Sequence, residues 1–142
     1  MNSYKKLKEK QEKEMSEFRM FSAFNKTQFE EGMRSIESEP NSTGALFKLG
    51  NSGGFICKDD KPNFSDILER HYVEMKSAID ADHTGEGFIF DMFDYELANH
   101  EYNYTGDLTD TLRAVGLTKS DINASAKLQH GLQKAIKMQF IQ

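Results

Sequence analysis

Residues 88–97 constrain the fold most strongly, because seven of these ten positions carry large apolar side chains. The seven are Phe88, Ile89, Phe90, Met92, Phe93, Tyr95 and Leu97. Wound into a helix, they cover most of its circumference, and a helix that is apolar all round is buried. We therefore predict a helix over about residues 87–100 at the centre of the molecule.

The rest of the chain predicts further helices around a small sheet. Apolar residues at helical spacing from Tyr4 to Phe18 indicate an amphipathic helix over 3–18 that packs on the body of the protein. Short apolar runs at 18–24, 46–49 and 54–58 are typical of strands. With 142 residues, the chain is predicted to form one α+β domain over 1–142, mostly helical with a small antiparallel sheet.

Capping signals set the expected starts of the other helices. Thr27 and Glu30 have capping-box spacing, Asn63 or Ser65 can cap a third helix, and Thr118 begins a last helix. A short helix is expected over 107–115, ended by Gly116. In the third helix the spacing predicts an inward face formed by Ile67, Leu68, His71, Tyr72, Met75 and Ile79.

Composition excludes several classes of protein. No apolar run approaches the roughly 20 residues that span a bilayer, and no secretory signal follows Met1. We therefore expect a cytoplasmic protein. Cys57 is the single cysteine, so neither an internal disulfide nor a thiolate zinc cluster is expected, and its strand position favours a packing role. No cofactor is predicted.

Negative charge is concentrated in one stretch of the chain. Residues 59–110 hold 3 basic and 14 acidic residues, and no Lys or Arg occurs from 77 to 112. One-sign clustering selects partners of the opposite sign and repels nucleic acid, although the acids can also pair with the basic ends of the chain. The carboxylates that we predict to contact a basic partner are Asp80, Asp82, Glu86, Asp91, Asp94, Asp107 and Asp110.

Two alternatives assign metal or catalytic chemistry to residues of the same acidic stretch. Residues 80–91 place oxygen ligands at calcium-loop positions 1, 3, 5 and 12, but Gly87 and Asp91 depart from the usual pattern. Two His/Glu pairs at helical spacing could ligate a metal or act as acid and base if they face each other. These pairs are His71 with Glu74 and Glu96 with His100.

Three runs of sequence carry a resemblance to a known family. They are residues 88–102, which contain the segment Glu-Leu-Ala-Asn-His-Glu-Tyr at 96–102, then 105–107 and 112–118. They resemble a family of small uncharacterised proteins encoded by phages, prophages and integrative elements. The resemblance implies a mobile-element accessory protein, a context in which small acidic proteins often inhibit host defence. We expect a non-enzymatic inhibitor that places its acidic face in the basic nucleic-acid groove of a host protein such as a CRISPR nuclease.

Overall fold

The structure, a computed structural model, describes residues 1–18, 20–37, 46–49 and 53–141. Its helices are α1 (Ser3–Ser16), α2 (Lys26–Glu37), α3 (Lys61–Ala81), α4 (Phe88–Asn99), α5 (Tyr102–Thr105), α6 (Thr109–Val115), α7 (Lys119–Asn123) and α8 (Ala126–Met138). Its strands are β1 (Met20–Ser22), β2 (Leu46–Lys48) and β3 (Gly54–Cys57), and a 3-10 turn at Lys58–Asp60 precedes α3. The predicted α+β class, mostly helical with a small antiparallel sheet, is confirmed.

The chain divides into two compact units. We call Met1–Gln11 together with Val73–Gln142 the helical unit, and Glu12–Tyr72 the sheet unit. The single domain over 1–142 stays a prediction. Among the described residues, none of the helices combines the length and apolar character needed to cross a membrane.

The sheet unit is built on aromatic packing. Its strands are antiparallel in the order β1-β3-β2. Phe21 of β1 stacks on Phe55 of β3 with ring centroids 5.3 Å apart, and Phe29 of α2 meets Phe55 edge-on at 5.2 Å. Cys57 is fully buried in β3, as its position between apolar residues predicts.

Two helix starts in the sheet unit differ from the sequence prediction. α2 begins at Lys26 because Asn25, not Thr27, caps it by accepting the backbone N–H of Gln28 at 2.8 Å. α3 begins at Lys61, ahead of both predicted caps, with Pro62 in its first turn, where a missing N–H costs no helical hydrogen bond.

The inward face of α3 is narrower than predicted. Leu68 and Tyr72 are 47% and 66% exposed, so their assignment to that face is wrong. The half-buried stripe passes instead through positions 64, 67, 71, 75 and 79. These positions are three or four residues apart, whereas Leu68 and Tyr72 lie one residue to the side.

α4 is the centre of the helical unit, as predicted. Ile89, Met92, Phe93 and Leu97 are fully buried in a core that also contains residues of α1, α6, α7 and α8. α8 approaches α4 so closely that a Cβ at Gly131 would lie 2.5 Å from the Cγ2 atom of Ile89. Glycine at 131 therefore lets the two helices meet.

The C-terminal segment folds as two helices rather than one. The predicted start at Thr118 is confirmed, and Thr118 forms a capping box with Asp121 at the start of α7. The chain then leaves the helix at Ala124, and Ser125 caps α8 by accepting the backbone N–H of Leu128 at 3.4 Å. The prediction of one continuous last helix from Thr118 is therefore wrong, because the chain breaks between α7 and α8.

Candidate functional site

A buried carboxylate lies at the contact between α1 and α4. The Glu96 side chain has no exposed surface, and its Oε2 atom accepts hydrogen bonds from the Tyr4 hydroxyl at 2.6 Å and the Lys8 ammonium at 3.1 Å. Oε1 accepts a third hydrogen bond, from the Asn99 amide at 3.1 Å. The Lys8 ammonium also lies 5.2 Å from the ring centroid of Tyr95, a cation–π distance. These partners offset the free-energy cost of burying the Glu96 charge.

Opposing effects set the ionisation of Glu96. Burial by itself raises the pKa of its carboxyl group, but hydrogen bonds from Tyr4 and Lys8, with the charge of Lys8, bring the pKa below its ordinary value. Glu96 is therefore an anion at neutral pH. Tyr4 and Lys8 are one helical turn apart on α1, so both side chains reach the Glu96 carboxylate. Their two contacts join the first two turns of α1 to α4.

The predicted metal ligands are not assembled around Glu96. His100 Nε2 lies 3.9 Å from Glu96 Oε1. Among the described residues, these two belong to no group of three or more His, Cys, Asp or Glu side chains close enough to share an ion. In the sheet unit, His71 Nε2 lies 3.7 Å from Glu14 Oε1. In the helical unit, Glu74 accepts a hydrogen bond from Gln11 at 3.2 Å.

The loop with calcium-like spacing is organised by Asp82. Its Oδ1 atom accepts the backbone N–H groups of Thr84 and Gly85, and its Oδ2 atom accepts those of Gly87 and Ile89, all at 3.0–3.2 Å. Burial raises the pKa of Asp82, but these four bonds outweigh it and lower the pKa. Asp82 therefore holds the loop through Oδ1 and caps the start of α4 through Oδ2.

Two more of the predicted partner-binding residues are occupied by contacts within the helical unit. Asp91 accepts hydrogen bonds from the backbone N–H and hydroxyl of Ser3, at 2.8 and 2.6 Å. Glu86 pairs with Lys134 and has His130 Nε2 at 3.4 Å, and hydrogen bonds from both lower the pKa of Glu86. Both carboxylates therefore connect α4 or its preceding loop to another helix.

The four remaining residues that we predicted to contact a partner differ in their exposure and in the contacts that their side chains make within the protein. Asp94 is half-buried and accepts a hydrogen bond from Gln139 at 2.9 Å. Asp80 is exposed at the end of α3. Asp107 and Asp110 are exposed around the start of α6, where Asp107 accepts the Thr109 N–H at 2.9 Å. Asp110 lies 3.4 Å from the exposed Arg113.

The structure adds two residues that sequence reasoning missed. Glu101 is exposed, although its place beside buried Leu97 predicts less exposure than for the short aspartates, and its backbone is left-handed with φ 55°. Tyr104, in α5, is 85% exposed. The polar residues around Tyr104 in the sequence are the signal that could have indicated a surface position. We call the exposed carboxylates Glu101, Asp107 and Asp110 the acidic edge; Tyr104 lies between them in the chain.

Comparison with known proteins places the chain at the level of a family. A model described as a family of unknown function, DUF7659, matches residues 3–138, nearly the whole chain. No curated protein and no solved structure matches it. The expected resemblance to an uncharacterised family is thereby confirmed.

Proposed function

The chain belongs to the DUF7659 family of unknown function, and we propose that it is a non-enzymatic accessory protein of a phage or another mobile element that inhibits a host defence nuclease. The proposed partner is a CRISPR effector with a basic groove that holds nucleic acid. In this mechanism the acidic edge enters the groove and competes with phosphates for its Lys and Arg side chains.

The observation that carries the proposal is the exposure of the acidic edge. Glu101, Asp107 and Asp110 lie within ten residues of one another, in a stretch of 36 residues without Lys or Arg. Arg113 pairs with Asp110, but the two side chains are 76% and 65% exposed. An ion pair this exposed contributes about 0–1 kcal/mol, so a partner cation can replace Arg113 at low cost.

Tyr104 is a second exposed feature of this part of the chain, where Glu101 precedes it and Asp107 follows it in the sequence. An exposed aromatic ring near carboxylates suits arginine, which stacks on aromatic faces while its guanidinium pairs with carboxylates. Tyrosine and arginine are also among the residue types enriched in the energetically dominant contacts of interfaces. The left-handed residues Glu101 and Gly106 bound the short helix α5 that carries Tyr104.

The experiment measures inhibition and binding for two matched charge reversals. Purified CRISPR effectors loaded with guide RNA are assayed for DNA cleavage and for association with the protein. Glu101→Lys with Asp110→Lys should slow association at least about tenfold, since steering contributes factors of 10 or more to association rates. Glu9→Lys with Glu12→Lys makes the same change in net charge on α1, where the local charge is mixed, and should change the rate less than twofold.

The salt dependence of the association rate distinguishes electrostatic steering from association through apolar contacts. The association rate should fall steeply as ionic strength rises from about 0.05 to 0.3 M, because the screening length shortens from well above 8 Å to well below it. The proposal is wrong if the effectors cleave DNA at an unchanged rate in a large excess of the protein. It is equally wrong if both charge reversals weaken binding alike.

A further inference from the structure

A half-open cavity in the helical unit has no part in the proposed function. Its volume is about 230 Å³, and it opens between α6, α7 and α8. The described residues that line it are Leu108, Leu112, Lys119, Ile122, Asn123 and Leu132. Four aliphatic side chains thus form the wall, and the two polar side chains are both exposed.

The size and wall of the cavity fit a short hydrocarbon group. An apolar cavity of about 150 Å³ lined by similar side chains is known to hold a benzene ring, and this cavity is larger. Leu112, Ile122 and Leu132 are each 7% exposed, so the wall belongs to the core while remaining reachable from outside. Water against such a wall has few polar partners and is easily displaced by an apolar group.

The two polar side chains specify what the other end of the ligand should be. Lys119 and Asn123 are the first and last residues of α7 and supply an ammonium and an amide. The carboxylate of Asp107 lies within electrostatic range of Lys119, although its own hydrogen bonds go to Thr109. No hydrogen bond or ion pair among the described residues engages the Lys119 ammonium, so it can pair with a second anion, with Asp107 as a competing charge.

We propose that this cavity binds a small carboxylate with an unbranched aliphatic tail of about six to eight carbons. The tail occupies the space between Leu108, Leu112, Ile122 and Leu132. The carboxylate pairs with Lys119 and accepts a hydrogen bond from the Asn123 amide. A neutral or cationic head group of the same length lacks the first of these interactions and should bind more weakly.

The test is a titration of the full chain with straight-chain carboxylates, followed by backbone amide NMR. Affinity should rise about fourfold per added methylene from butanoate to octanoate, the factor that corresponds to burying one methylene. It should rise no further for decanoate, because the cavity is then full. The amides of α6, α7 and α8 should shift, whereas those of α2 and β3 should not.

Variants at the mouth test the head group. Lys119→Gln should weaken octanoate binding at least about fivefold, and Asp107→Asn should strengthen it by removing the competing charge. Lys137→Gln, which removes an exposed charge outside the cavity lining, should change the affinity less than twofold. Octanol should bind more weakly than octanoate to the unmodified protein.

Three results would overturn the proposal. They are the absence of saturable shifts with any carboxylate, equal binding of octanol and octanoate, and an unchanged octanoate affinity in Lys119→Gln. None of them bears on inhibition of a nuclease, so this proposal and the proposed function can fail separately.

Discussion

Acidic residues on the two sides of α4 have different roles. On the N-terminal side and within the helix, Asp82 and Glu96 accept several hydrogen bonds each and hold the loop and α1 in place. On the C-terminal side, Glu101 and Asp110 are exposed, and their charge stays on the surface. A high density of acidic residues in a sequence therefore does not imply a negatively charged surface, because some of their carboxylates form hydrogen bonds and ion pairs within the protein.

The basic ends of the chain determine which acids are neutralised. Lys8 in α1 pairs with Glu96, and Lys134 in α8 pairs with Glu86, residues that are 88 and 48 positions apart in the sequence. The interpretation that the acids pair with the basic ends is therefore correct for this part of the segment. The acidic edge belongs to the part of the segment that the lysines of α1 and α8 do not reach in any described ion pair.

The largest loss of stability is expected for Phe93→Ala, a core substitution against which the carboxylate variants can be compared. It should lower the free energy of unfolding by about 3–5 kcal/mol, because it removes a fully buried ring from the centre of α4. Urea denaturation followed by circular dichroism measures it. A loss below about 0.5 kcal/mol would show that α4 is not the centre of the core.

Glu96→Gln should cost less, about 1.5–3 kcal/mol at pH 7, since it removes the charge that Lys8 pairs with and retains the shape. The effect should depend on pH with a defined sign. The folded pKa of Glu96 lies below its ordinary value of 4.5, so its stabilising contribution is complete above that pH and is lost as the pH falls through the folded pKa. The difference in the free energy of unfolding between the unmodified protein and Glu96→Gln should therefore become smaller in acid.

Lys8→Met is the matched control for Glu96→Gln. Combined in one chain, the two changes should cost less than the sum of their separate effects, because each removes the same ion pair. Strict additivity would contradict an interaction between Lys8 and Glu96.

Asp82→Ala should cost about 1–2 kcal/mol, the range for loss of a helix cap. The reason is that two backbone N–H groups at the start of α4, those of Gly87 and Ile89, and two in the preceding loop lose their shared acceptor. Amide hydrogen exchange should quicken at Gly85, Gly87 and Ile89. Unchanged protection at these amides would contradict the capping role.

Sequence patterns predicted the elements of the fold better than the roles of individual side chains. α4 follows from a dense apolar pattern, and the strands follow from short aromatic runs, both of which are local signals. The break at Ser125 carries no proline or glycine, and its only local signal is a serine, a common N-cap residue. The left-handed Glu101 is neither glycine nor asparagine, so its backbone conformation had no local signal. The destination of each carboxylate depends on partners far away in the chain, and a charge count contains no such information.

The most direct test of the division between the two sets of carboxylates compares two double variants of matched chemistry by urea denaturation at pH 7. Asp82→Ala with Glu96→Gln should lower the free energy of unfolding by about 2.5–5 kcal/mol, close to the sum of the two single effects. Asp110→Ala with Glu101→Gln should change it by less than about 0.5 kcal/mol, as expected for exposed side chains. Equal losses in the two double variants would contradict the account, because the acidic edge would then be as structural as Asp82 and Glu96.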